Sequence, residues 1–67
     1  MIYPRVIQYC SENNLSIAGF EKLCGIGNGT VGRWNPELEE PSKPSLDTLE
    51  KISRATGISM AELIAGE

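Results

Sequence analysis

The sequence contains no histidine, and only six Lys/Arg stand against nine Asp/Glu, a net charge of −3 over 67 residues. Without histidine it lacks the commonest general base and the commonest metal ligand. No nucleophile–base pair or metal-ligand cluster takes its place, so no enzyme, cofactor or metal is expected. The acid excess is also the opposite of the basic footprint of a strong nucleic-acid binder. By composition alone the chain reads as a small acidic interaction module. The two cysteines, Cys10 and Cys24, are too few for a disulfide scaffold. Each sits on an apolar helical stripe, where a free thiol behaves as a small hydrophobe; a single Cys10–Cys24 bridge is the alternative. No apolar run approaches the ~18 residues of a membrane span. MIYPRVIQYC at the N-terminus is not a signal peptide, so the expected location is cytoplasmic. The sequons at Asn14 and Asn28 are then chance matches.

What remains is one domain over residues 1–67, too short for a doubly wound sheet. A chain of this size buries only about 60% of its unfolded surface. Pro4 suits the first turn of a helix, and Val6, Ile7 and Cys10 continue it as an amphipathic stripe to about Asn13-Asn14. Ser16 is a good N-cap for a second helix with Ile17, Phe20, Leu23 and Cys24 on one stripe, and Gly25 stands at its C′ position. A short third helix is expected from Thr30 to Asn35, capped by Gly27 or Asn28 and ended by Pro36. Residues 36–45, PELEEPSKPS, read as an exposed loop. Ser45 caps a fourth helix with Leu46, Leu49, Ile52 and Ala55, closed by Gly57. Ser59 and Glu62 form a capping box for a fifth, with Ile58 and Leu63 as hydrophobic staple. The expectation is all-α.

Residues 27–32, GNGTVG, match the dinucleotide-binding fingerprint G-x-G-x-x-G. That motif has meaning only after a β-strand, and helix-periodic residues precede it here. Asn28-Gly29 as a hairpin turn fails similarly, because alternating apolar flanks are missing. Glycines at a tight inter-helix turn explain both matches better. Two short helices joined by such a turn define a helix-turn-helix at residues 17–35. Gly25 reverses the chain, Ile26 plugs the space between the helices, and Val31 and Trp34 anchor the second helix. Its exposed side carries Asn28, Gly29, Gly32 and Arg33, residue types that suit base edges: arginine pairs with guanine, asparagine with adenine, and glycine permits close approach. A plain αα-hairpin in a bundle is the competing reading.

LSIAGFEKLCGIGNGTVGRW followed by PSLDTLEKISRATGISMAELI resembles the lambda-repressor/Cro-type helix-turn-helix family, also called XRE, with a phage-repressor-like character. The similarity runs from about Val6 to Ile64. It implies a five-helix lambda-repressor-like domain with the third helix as recognition helix in the major groove. It also implies a homodimer on a palindromic operator, recognition helices roughly 34 Å apart, and a role in transcription regulation as a repressor. By position, the resemblance assigns base reading to Asn28, Gly29, Gly32 and Arg33, and phosphate contacts to Ser16, Thr30 and Asn35. Lys22 and Lys43 would add cationic phosphate contacts, and the N-termini capped by Ser16 and Ser45 could offer backbone N–H groups. Met60, Leu63 and Ile64 are the expected dimer surface, or else they close the core.

Three departures from the family pattern matter. Ile17 stands where a backbone-contacting glutamine is usual. Glu21 replaces a small alanine; it must lay its stem across the neighbouring helix or pair with a cation, Arg5 and Arg33 being candidates. Some phage-type members share that feature. The loop 36–45 is longer than usual, and its Glu37, Glu39 and Glu40 lie where phosphate is often close. These departures favour a second possibility, an antitoxin-like or DNA-inactive helix-turn-helix interaction module that binds a protein partner through the acidic loop.

Overall fold

The computed structural model describes residues 2–64; Met1 and residues 65–67, which the single-domain reading includes, lie outside the described residues. Among the described residues, four α-helices and one 3-10 turn make up the regular structure: α1 (Ile2–Glu12), α2 (Ile17–Cys24), the 3-10 turn Val31–Trp34, α3 (Leu46–Thr56) and α4 (Met60–Ile64). The described residues include no strand. The all-α expectation therefore holds, with one of the five helices shortened to a 3-10 turn.

Local chemistry accounts for most of the boundaries. α1 ends in a Schellman motif: Asn14 adopts φ 56, Leu15 N donates to Cys10 O and Asn14 N to Ser11 O. Ser16 Oγ then caps α2 by accepting from Gly19 N at 3.0 Å. α2 closes with a second Schellman motif, in which Gly25 at φ 71 donates to Lys22 O and Ile26 N to Glu21 O. Ser45 Oγ accepts from Thr48 N at 3.2 Å to start α3, and Gly57 closes it. The capping box at α4 is half formed. Ser59 Oγ accepts from Glu62 N at 3.2 Å, but the Glu62 carboxylate turns to Arg5 of α1 at 2.7 Å.

α1 packs on α2, on the 3-10 turn and on α4, while α3 packs on α2 and α4. The core draws Ile2, Val6 and Cys10 from α1, Phe20 and Cys24 from α2, Val31 and Trp34 from the turn, Leu49 and Ile52 from α3, and Leu63 from α4. Tyr9 meets Phe20 edge to face at 5.8 Å. Three expected stripe residues, Ile7, Leu23 and Leu46, are exposed instead. On α1 the buried set steps by four residues, Ile2, Val6 and Cys10, which turns Ile7 outward. Both thiols are free and buried, so the small-hydrophobe reading of Cys10 and Cys24 applies and the bridge is absent.

A candidate nucleic-acid interface

The segment from Gly27 to Asn35 was expected to be helical from Thr30 onward. It is a turn over residues 28–30 followed by the 3-10 turn Val31–Trp34. The cause is composition. Gly27, Gly29 and Gly32 each cost about 0.5–1 kcal/mol in a helix relative to alanine, Gly29 adopts φ 88, and Pro36 prevents continuation. The backbone bonds at its edges are long: Thr30 N donates to Gly27 O at 3.2 Å, Arg33 N to Thr30 O at 3.3 Å and Asn35 N to Gly32 O at 3.4 Å. Such bonds contribute about 0.5–1.5 kcal/mol net, whereas a fully buried valine contributes about 1.5–3 kcal/mol. Burial of Val31 and Trp34 therefore anchors this segment more than its own winding does.

Three external bonds supplement that anchor. Glu21, 2% exposed on α2, pairs with neither Arg5 nor Arg33; its buried stem reaches the neighbouring segment instead. Its Oε1 accepts from Gly29 N at 3.1 Å and its Oε2 from Val31 N at 2.9 Å. The cation expectation fails because Arg5 is engaged with Glu62, while two amides at the start of a short turn need an acceptor. At the other end, Ser42 N donates to Arg33 O at 2.7 Å, pinning the loop 36–45 back onto the turn. The sequence did contain the signal for the first clamp, a glutamate where a small residue is usual, but not its partners.

With the segment so held, Asn28, Gly29, Gly32 and Arg33 are all exposed. The Gly29 amide is committed to Glu21, so this glycine shapes the turn as well as lying on its surface. Asn28 and Lys22 line one open cleft of about 330 Å³, together with Ala18, Glu21 and Ile26. Ser16 and Lys43 are exposed, and Thr30 and Asn35 half-buried. Asn35 Oδ1 accepts from Glu37 N at 3.0 Å, leaving its Nδ2 as the donor for an external group. Ile17, half-buried, packs against the core, as its apolar side chain requires.

A helix, a Gly25 turn, a second helical segment anchored by Val31 and Trp34, and polar side chains outward make a helix-turn-helix. The family model of the Cro/C1-type HTH DNA-binding domain matches residues 5–66. The chain belongs to that family. No curated protein and no solved structure matches it. As a Cro/C1-type domain it is a DNA-binding regulatory module, a fold without enzymatic chemistry. No described helix is long and apolar enough to cross a membrane.

α4 bears the residues expected at a dimer surface. Leu63 is buried in the core, and its expected staple partner Ile58 packs against the same core. Met60 is half-buried against the same core, and Ile64 is 49% exposed.

Proposed function

We propose that this domain is a sequence-specific transcriptional repressor that reads the major groove with residues 28–33 and acts as a homodimer on a palindromic operator. The observation that carries the reading is the exposure of Arg33 and Asn28 on a segment whose other face, Val31 and Trp34, is fixed in the core. Among the described residues Arg33 makes no ion pair, so its guanidinium is available for a bidentate bond to guanine. Lys22, Lys43, Ser16, Thr30 and Asn35 serve as the phosphate partners in this reading. Few cations are engaged, so the affinity should depend only shallowly on salt. Ile64, with Met60 at its margin, provides the apolar surface for the two-fold contact, and Leu63 supports it from inside.

A second reading, an interaction module docking a protein partner, is favoured by the loop 36–45. There Leu38, 46% exposed, stands among exposed Glu37, Glu39 and Glu40. Titrating selected palindromes and random duplexes at two salt concentrations separates the two readings, with gel filtration reporting the dimer. Arg33→Ala should cost about 1–3 kcal/mol on the selected site and relax specificity at one base position. If Arg33→Ala binds every sequence as the parent does, the groove assignment is wrong. Absence of binding to either DNA leaves the interaction module.

A further inference from the structure

A carboxylate leaves water only where charges or hydrogen bonds replace its hydration. Among the described residues no cation pairs with the buried Glu21. The replacement consists of the Gly29 and Val31 amides, at 3.1 and 2.9 Å, one on each carboxylate oxygen. The segment has no local device that does the same work. Thr30, at the N-cap of the 3-10 turn, makes no side-chain capping bond. Glycines at 27, 29 and 32 leave the backbone weakly determined by its own preferences. Meanwhile the main-chain oxygen of Glu21 accepts from Ile26 N at 3.0 Å in the inter-helix turn. One residue thus ties down the turn with its backbone and the exposed segment with its side chain. A small residue at this position would let the helices approach but would offer those amides no acceptor.

We propose that Glu21 is the positioning residue of the reading segment, setting through the Gly29 and Val31 amides where Asn28 and Arg33 stand and thereby governing discrimination among DNA sequences. The inference rests on the reading of residues 28–33 as the base-contacting segment. A carboxylate that accepts one bond on each oxygen fixes both the place and the tilt of the turn. Base-edge bonds weaken steeply as their angle departs from linearity, whereas attraction to phosphates carries no sequence information. Loosening the turn therefore lowers the preference for the correct site and leaves general DNA affinity in place.

The test compares wild type, Glu21→Gln and Glu21→Ala, each titrated with a selected palindrome and with random duplex below its unfolding midpoint. Glutamine keeps the size and one acceptor but turns a donor toward an N–H; alanine removes both acceptors. The ratio of selected to random affinity should fall about tenfold for glutamine and further for alanine, a loss within the range of one bidentate base contact. Random-duplex affinity should stay within about twofold, since its phosphate contacts are untouched. The Gly29 and Val31 amide resonances should shift and lose exchange protection. A folded Glu21→Gln protein that keeps the wild-type ratio overturns the proposal. If neither variant folds, the unmodified protein decides: Gly29 and Val31 amides that exchange more slowly than those of Gly27 and Asn28 support the clamp, and equal exchange overturns it. A wild-type protein without preference for any sequence overturns the DNA reading itself, an outcome visible before any substitution is made.

Discussion

Replacing Gly32 with alanine adds one methyl group to the exposed side of the 3-10 turn. No atom lies within 4 Å of the position its Cβ would take, and the backbone there is outside the left-handed region. The folded state accepts the methyl without strain while the unfolded chain loses conformational freedom, a gain of about 0.4–1 kcal/mol. For a domain of this size about 1 kcal/mol moves Tm by about 4–8 °C, so a rise of about 2–8 °C is expected. DNA binding should move the other way. If Gly32 lies against base edges, the methyl blocks the close approach and the selected-site Kd should rise about tenfold, equivalent to about 1.4 kcal/mol. Gly29→Ala is the control for backbone geometry. Its Cβ also meets nothing within 4 Å, but φ 88 makes any side chain costly, by about 1–2 kcal/mol. Thermal melts followed by circular dichroism and anisotropy titrations with a labelled operator read both effects. A Gly32→Ala protein that melts below wild type refutes the backbone reasoning. One that melts higher yet binds the operator unchanged refutes the placement of Gly32 on the reading face.

Neutralising the loop by replacing Glu37, Glu39 and Glu40 with glutamine should raise affinity for random DNA several-fold at low salt. That gain should shrink as the screening length falls from about 10 Å at 0.1 M toward about 3 Å at 1 M; unchanged binding at low salt would place the loop away from phosphate. Burial, with Cys10 nearby adding to it, pushes the Cys24 thiol from its ordinary 9.0 up to about 11. The unfolded chain therefore loses this proton first, so the contribution to stability is full below about pH 9 and is lost between about 9 and 11 as pH rises. Denaturant melts across that window should show the decline and Cys24→Ala should flatten it; an equal slope in both proteins would mean that Cys24 is not the group responsible.

Helix ends were legible because their causes are local. Ser16 and Ser45 cap within three residues, and Gly25 ends α2 where a left-handed residue was expected. The third helix is shorter than the sequence suggests for the opposite reason. Its glycines suggested a turn, yet what holds that turn is an acceptor on Glu21, ten residues before Val31. The partner of Arg5 was hidden in the same way, since Glu62 lies 57 residues along the chain. A capping box predicts where a glutamate side chain can reach, but a cation from another helix competes for it. On α4, periodicity could not distinguish Leu63 as core from Leu63 as dimer surface, because both demand the same apolar residue. The identities of the exposed residues at 28–33 were readable from the sequence; the backbone that presents them was not.

The bond from Ser42 N to Arg33 O, together with the two from Gly29 and Val31 to Glu21, also bears on how this domain can be re-engineered. In a recognition helix that winds its own hydrogen bonds, side chains can be exchanged as a cassette and the backbone follows. Here the backbone of the cassette is held by groups outside it. Moving residues 28–33 onto another helix-turn-helix scaffold would leave both supports behind, and the smallest portable unit is the whole stretch 21–42. Changes of length between Arg33 and Ser42 would propagate to the guanidinium, whereas changes after Ser42 would fall outside the closed ring.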